Sequence, residues 1–76
     1  MKLPACLRYA GQLGHEYVVT RRVGDGNEEV YVECNNTQRA RDQYLSVPPD
    51  ARGGIYRRRA KGWKRVLLVG KEGGGR

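Results

Sequence analysis

The chain has 76 residues, a formal net charge of +7 and a hydrophobic fraction of 38%. A chain of this length forms one small domain and buries only about 60% of the surface that its unfolded form exposes. No apolar run approaches the roughly 18 residues that a membrane span needs, so we expect a cytoplasmic protein with no membrane partner. We assign a single compact domain to residues 1–70 and a flexible tail to residues 71–76, which read KEGGGR.

The positive charge is concentrated in the last third of the chain. Residues 1–50 carry six basic and seven acidic side chains, whereas residues 51–76 carry nine basic side chains and only Glu72 as an acid. Such asymmetry is typical of a surface that faces phosphates, an anionic membrane or an acidic protein. A basic face that only keeps a small protein in solution is the alternative interpretation.

The residue types that carry catalysis or bind metals are sparse. Cys6 and Cys34 do not form a dense disulfide scaffold, so we expect free thiols. Together with His15 they supply three soft ligands, but without the C-x-x-C or H-x-x-x-H spacing of a zinc site. His15 lies beside Glu16 with no local nucleophile, and no paired-carboxylate or phosphate-binding motif is present. We therefore expect no enzyme activity, no catalytic residue, no metal and no cofactor.

The N-terminal half predicts a hairpin, with a further strand before it at residues 5–9 as an option. Two runs of β-branched and aromatic residues flank a Gly-Asp-Gly-Asn turn in HEYVVTRRVGDGNEEVYVEC, residues 15–34. A turn at Asp25-Gly26 places Tyr17 opposite Cys34 and Arg22 opposite Glu29. The predicted core side of this hairpin consists of Tyr17, Val19, Val30, Val32 and Cys34.

The segment NNTQRARDQYLSV, residues 35–47, predicts a short helix. Asn35 can cap its N-terminus, with Gln38 as the partner of a capping box. The predicted buried face carries Ala40, Tyr44 and Leu45. Two prolines then end the helix, since neither can donate a backbone hydrogen bond and Pro48 disfavours helical geometry at the residue before it.

A second hairpin follows, in which the charges gather at the tip. The stretch GGIYRRRAKGWKR, residues 53–65, contains six basic side chains, and apolar residues lie at its base. A two-residue turn at Lys61-Gly62 places Arg58 opposite Arg65 and Tyr56 opposite Leu67. We predict an α+β domain of ββαββ-like order, with one short helix on an antiparallel sheet of two hairpins. A small, partly open β-barrel is the alternative architecture.

Part of this hairpin resembles a known family. The stretch GGIYRRRAKGW, residues 53–63, is similar to the first hairpin of the arm-binding domains of phage and transposon tyrosine recombinases. There too a glycine, an isoleucine, basic residues and a turn precede a tryptophan. In those domains a third strand and a helix follow the hairpin, whereas here the predicted helix precedes it. The resemblance is therefore confined to the hairpin.

The clustered arginines predict a binding role. Like charges that face each other across a strand pair repel, so folding alone would not select them, whereas an anion between them makes the arrangement favourable. We predict a small nucleic-acid-binding module whose projecting basic hairpin contacts phosphates of DNA or RNA. The candidate binding residues are Arg52, Arg57, Arg58, Arg59, Lys61, Trp63, Lys64 and Arg65. Trp63 either stacks on an unpaired base or caps the hydrophobic core.

A second hypothesis uses the same arginines on a protein. In it the chain is a small inhibitor or accessory factor of the phage or mobile-element type. It docks its basic arm on an acidic or nucleic-acid-binding surface of a larger complex. Such an interface needs a central anchor, for which Trp63 and Tyr56 are the candidates. The oligomeric state stays open under both hypotheses.

Overall fold

The computed structural model describes residues 3–68, which form an open antiparallel sheet with one α-helix. The strands are β1 (Tyr17–Val23), β2 (Asn27–Cys34), β3 (Arg52–Arg59) and β4 (Gly62–Val66), and the helix is α1 (Thr37–Ser46). The strands are arranged in the order β2-β1-β3-β4. The predicted α+β class and ββαββ order are confirmed. The barrel alternative is wrong, because the sheet ends at β2 on one side and at β4 on the other. The predicted tail at residues 71–76 lies outside the described residues.

The segment before β1 is helical, so the optional strand at residues 5–9 is wrong. A 3₁₀ helix spans Ala5–Tyr9, and the Leu7 N–H donates to the Pro4 carbonyl over 3.1 Å. A strand here would present its side chains alternately to two faces. The helical turn instead directs Leu7 alone into the core, where it is 4% exposed. A second 3₁₀ helix, Pro49–Ala51, joins α1 to β3.

Both faces of the sheet are covered, each by a different part of the chain. Helix α1 packs on one face, which we call the helix face, and the 3₁₀ helix packs on the other, the N-terminal face. The buried cluster of the helix face consists of Tyr17, Val19, Cys34, Ala40 and Ile55. The buried cluster of the N-terminal face consists of Leu7, Val18 and Tyr56, with Trp63 and Val30 packed against it. The small domain therefore divides its core between two thin layers.

Side chains on the helix face form rows across the strands. One row is apolar throughout and consists of Val32, Val19, Ile55 and Val66. The next row, two residues nearer the β3–β4 turn, consists of Cys34, Tyr17, Arg57 and Lys64. Two residues along a strand cover about 7 Å. The helix face thus changes from buried core to surface charge within one step along β3 and β4.

The β1–β2 register contains a bulge that the sequence prediction lacked. Near the open ends of the hairpin, Tyr17 lies opposite Cys34, as predicted. The register then shifts between Val19 and Thr20, so that every pair nearer the turn is displaced by one residue. Arg22 therefore lies opposite Glu28, and the predicted Arg22–Glu29 pair is wrong. A shift of one residue also reverses the faces, which is why Val30 packs on the N-terminal face instead of the predicted core side.

The β1–β3 register is also irregular, with a shift between Val19 and Arg21, and the Thr20 side chain makes hydrogen bonds at this point. Its side chain is fully buried, and its Oγ1 accepts a hydrogen bond from the Gly54 N–H over 2.9 Å. The same hydroxyl donates to the Glu28 carboxylate over 2.7 Å. Gly53 passes so close that a Cβ there would lie 2.4 Å from this Oγ1. The buried Thr20 hydroxyl thus takes the place of a backbone acceptor between β1 and β3. Its position leaves no room for a side chain at residue 53.

Helix α1 begins one residue later than the capping prediction implied. The side chain of Asn36, and not that of Asn35, accepts a hydrogen bond from the Arg39 N–H over 3.0 Å. Asn35 instead accepts from the Glu16 N–H over 2.8 Å. Ala40 is buried as predicted, whereas Leu45 is exposed. The helix ends at Ser46, directly before the residue whose geometry Pro48 restricts, so the predicted end is confirmed.

Candidate functional site

The register between β3 and β4 differs from the predicted register by two residues. The turn residues are Ala60 and Lys61, so Arg58 lies opposite Trp63 and not opposite Arg65. A displacement of two residues preserves the faces but changes every partner. The observed register brings Trp63 against the N-terminal-face cluster, whereas the predicted one would have placed it beside the turn, beyond β1. Burial of the indole therefore decides the register.

The side chain of Arg58 is fixed by contacts to Trp63 and to the segment before β1. Its guanidinium carbon lies 5.0 Å from the centroid of the Trp63 ring. The Nε donates to the His15 carbonyl over 3.3 Å, and Nη2 donates to the Gly11 carbonyl. The backbone N–H of Arg58 donates to the Glu16 carbonyl over 2.8 Å. This arginine, at the centre of the predicted arm, connects the hairpin to the segment that precedes β1.

That segment, residues 10–16, is itself anchored on β2. The Glu33 carboxylate accepts a hydrogen bond from the Gly11 N–H over 3.0 Å and lies 3.2 Å from His15 Nδ1. Gly11 is buried at a φ of +74°, and a Cβ there would lie 2.6 Å from the Trp63 ring. These contacts were not predicted, because they join residues on three separate segments. The only local sign was a glycine-rich interruption before β1.

Arg52 also has a structural role. Its guanidinium donates to the carbonyls of Tyr44 over 3.2 Å, Leu45 over 3.0 Å and Val47 over 2.9 Å, at the C-terminus of α1. The last carbonyls of a helix lack intrahelical donors and carry partial negative charge, which a cation stabilises. Arg52 is thus directed at the helix, away from the end of the sheet where the other predicted contact residues lie.

Arg65 lies on the N-terminal face, opposite Tyr56. Its Nη2 donates to the Gly53 carbonyl over 3.2 Å, although the side chain as a whole is exposed. The structure therefore separates Arg65 from Lys64, since neighbouring residues of a strand point to opposite faces.

The remaining predicted cations form a group that we call the basic end. It consists of Arg57, Arg59, Lys61 and Lys64. Arg57 and Lys64 are cross-strand partners in the charged row of the helix face, and Arg59 follows two residues along β3. Within residues 3–68, Arg59, Lys61 and Lys64 make no side-chain hydrogen bond or ion pair. The Arg58 N–H donates to the Glu16 carbonyl, which precedes β1. Residues 59–62 extend beyond this hydrogen bond and form the end of the hairpin.

Within the described part of the chain, Glu16 is the acid that faces the basic end. Glu16 Oε2 lies 2.7 Å from both Nε and Nη2 of Arg57, whose guanidinium also lies 5.7 Å from the Tyr17 ring centroid. Both partners are about 40 to 45% exposed, so water screens the pair and its contribution is small. Glu16 was not among the predicted site residues, because its partner is 41 residues away in sequence.

The two cysteines are free thiols, as expected. Cys34 is buried on the helix face, and burial raises the pKa of its thiol. Burial, reinforced by the Glu28 carboxylate, likewise raises the pKa of the Cys6 thiol. Among residues 3–68, no three histidine, cysteine or acidic side chains come together as a metal site. In the same part of the chain, no helix is long and apolar enough to span a membrane.

Comparison of the chain with protein-family models, with curated proteins and with solved structures gives no match in any of the three.

Proposed function

We propose that this chain is a small nucleic-acid-binding protein of the cytoplasm, in which the basic end contacts phosphates. The observation that carries the proposal is the charged row of the helix face. There Arg57 and Lys64 lie directly opposite each other, and although Glu16 pairs with Arg57, the row keeps an excess of positive charge. A phosphate between the two strands would accept hydrogen bonds from both side chains and reduce this excess. The free thiols agree with a reducing compartment.

The geometry narrows the set of predicted contact residues. Arg52, Arg58 and Arg65 already donate to backbone carbonyls, so the proposal gives them no phosphate contact. Trp63 is partly buried, with Arg58 over its ring and the N-terminal-face cluster against it. The proposal therefore assigns Trp63 to the core and gives it no stacking role. The proposed contacts are therefore those between the cations of the basic end and phosphates. Such contacts predict modest affinity and little recognition of individual bases for either DNA or RNA.

The test is a salt titration with labelled 20-nucleotide oligonucleotides, single-stranded and duplex, followed by fluorescence anisotropy. Four phosphate contacts on a duplex predict that log K falls with log salt at a slope of about −3 to −4. Lys64→Gln and Arg59→Gln should each reduce the slope by about 1. Both side chains are exposed, so we expect the two variants to keep the fold.

Arg22→Gln is the matched control, because it removes the same charge from an exposed residue near the β1–β2 turn, at the opposite end of the sheet. It should leave the slope unchanged. Equal loss of binding in Arg22→Gln and Lys64→Gln would contradict a defined contact surface. Absence of binding at about 50 mM salt, where phosphate contacts are strong, would reject the proposal altogether.

A further inference from the structure

We infer that the outer edge of β4 binds an extended acidic peptide segment of another protein, which joins the sheet as a fifth strand. Strand β4 pairs with β3 on one side only and forms one edge of the sheet described for residues 3–68. An unpaired edge presents backbone donors and acceptors in a row, which an extended peptide can complete. This edge shares Lys64 with the basic end but is otherwise a different surface, and the inference does not rest on the proposed function.

The register identifies the backbone groups that face outward. In an antiparallel pair, residues alternately direct their N–H and C=O toward the partner strand and away from it. The Arg58 N–H donates toward β1, to the Glu16 carbonyl, so Arg58 and its partner Trp63 direct these groups away from each other. Trp63, and by the same alternation Arg65, therefore present N–H and C=O at the free edge. Lys64 directs its own groups inward, to Arg57.

The side chains beside this edge suit a segment that alternates apolar and acidic residues. A groove along β4 is lined by Leu3, Trp63, Lys64, Arg65, Val66 and Leu67. Leu67 is 78% exposed and Leu3 is 40% exposed, so both offer apolar surface to a neighbouring strand. Lys64 on the helix face and Arg65 on the N-terminal face flank the same edge. Carboxylates on the added strand would meet a cation on either face.

Charge and backbone chemistry favour an acidic peptide at this edge over a second copy of the chain or a nucleic acid. Two copies of the chain paired through β4 would bring their Lys64 and Arg65 side chains together, and such cations on an edge strand oppose self-association. A nucleic acid carries the right charge but has no backbone amides with which to complete the ladder. An acidic extended peptide can pair with the outward N–H and C=O groups of β4 and can also place carboxylates near Lys64 and Arg65.

The first test is hydrogen exchange by NMR on the full chain, with a blocked peptide of about ten alternating glutamate and valine residues as the probe. Peptide binding should slow exchange of the Trp63 and Arg65 amides by about tenfold or more. The Lys64 amide, which already faces β3, should change little and serves as the internal control. The same peptide with lysine in place of glutamate should not bind.

Three results would overturn the inference: no binding of the acidic peptide at millimolar concentration, equal binding of the lysine peptide, or binding without new protection at Trp63 and Arg65. Slow exchange of both amides in the chain alone would also overturn it, because the edge would already be covered. Sedimentation of the same sample would then show whether a second copy covers it.

A pair of variants at one position provides the second test. Arg65→Gln removes one charge but keeps the outward N–H, and should weaken peptide binding only a few-fold. Arg65→Pro removes the outward N–H, which proline tolerates on an edge strand, and should abolish binding. Equal affinity in the two variants would contradict strand addition. If Arg65→Pro does not fold, the exchange measurement on the unaltered chain still decides. Arg59→Gln should weaken nucleic-acid binding and leave peptide binding intact, so the two proposals fail separately.

Discussion

The guanidinium of Arg58 lies over the indole of Trp63, its partner across the β3–β4 hairpin, at 5.0 Å from the ring centroid. The same guanidinium donates to the carbonyls of Gly11 and His15. The centre of the most basic stretch of the chain therefore stabilises the fold. Its neighbours Arg57 and Arg59 point to the opposite face, where the basic end is formed.

This division predicts opposite behaviour for two adjacent arginines. Arg58→Gln should lower the free energy of unfolding by about 1–3 kcal/mol, because the cation–π contact and the hydrogen bonds to residues 10–16 are lost. Arg59→Gln should change it by less than about 0.5 kcal/mol, since its exposed side chain makes no hydrogen bond or ion pair within residues 3–68. Urea unfolding followed by circular dichroism measures both. Equal effects would show that Arg58 does not hold the segment before β1.

The Thr20 hydroxyl should matter more than its small size implies. Thr20→Val keeps the shape but leaves the buried Gly54 N–H without its acceptor, which should cost about 1–3 kcal/mol of unfolding free energy. Thr20→Ser keeps the hydroxyl and should cost less. Native-state hydrogen exchange gives a local readout, because the Gly54 amide should lose protection in Thr20→Val only. If the valine variant is as stable as the serine variant, the Thr20 hydroxyl does not stabilise the irregular pairing of β1 with β3.

Features of the fold that depend on local signals were predictable. The glycine-rich turn of the first hairpin and the end of α1 before Pro48 both follow from the backbone preferences of a few adjacent residues. The apolar residues at the base of β3 are typical of a central strand, and β3 does lie between β1 and β4. In each case the determining residues are neighbours in sequence.

The registers and the composition of the site were less predictable, because they depend on distant contacts. The irregular pairing of β1 with β3 is bridged by Thr20, which accepts a hydrogen bond from Gly54, 34 residues away in sequence. The β3–β4 register follows from burial of Trp63 against a 3₁₀ helix that the sequence prediction had as a strand. Charge density indicated the β3–β4 hairpin as the candidate site, but only the packing on both faces separates Arg58 from the arginines of the basic end.

Arg52, as a structural cation, offers a direct contrast with Lys64, a proposed contact cation. Arg52→Gln should lower the unfolding free energy by about 1–2 kcal/mol, because three carbonyls at the C-terminus of α1 lose their donor. Under conditions where it is folded, it should leave the salt slope of nucleic-acid binding unchanged, unlike Lys64→Gln. Unfolding and anisotropy titrations on both variants check this. A reduced slope in Arg52→Gln would instead extend the contact surface to the far end of β3.

Tyr56 makes stability depend on pH in the alkaline range. Its ring is 3% exposed on the N-terminal face, and burial, reinforced by the nearby Glu28 carboxylate, raises the pKa of the phenol above 10.0. The unfolded chain then loses the phenolic proton at a lower pH than the folded chain does. The free energy of unfolding is therefore unaffected by this group below pH about 10 and falls as the pH rises beyond it.

Tyr56→Phe removes this difference in proton binding, so its unfolding free energy should fall less than that of the unaltered chain between pH about 9 and about 11. Tyr31→Phe is the control, because it removes an exposed phenol and leaves Tyr56 in place. All three proteins are compared in a Cys6→Ser background, because the Cys6 thiolate also raises the pKa of the Tyr56 phenol. Denaturant unfolding across this pH range provides the measurement. Parallel profiles for Tyr56→Phe and the unaltered chain would mean that the phenol is solvated in the folded state, and that the cluster of Leu7, Val18 and Tyr56 does not exclude water.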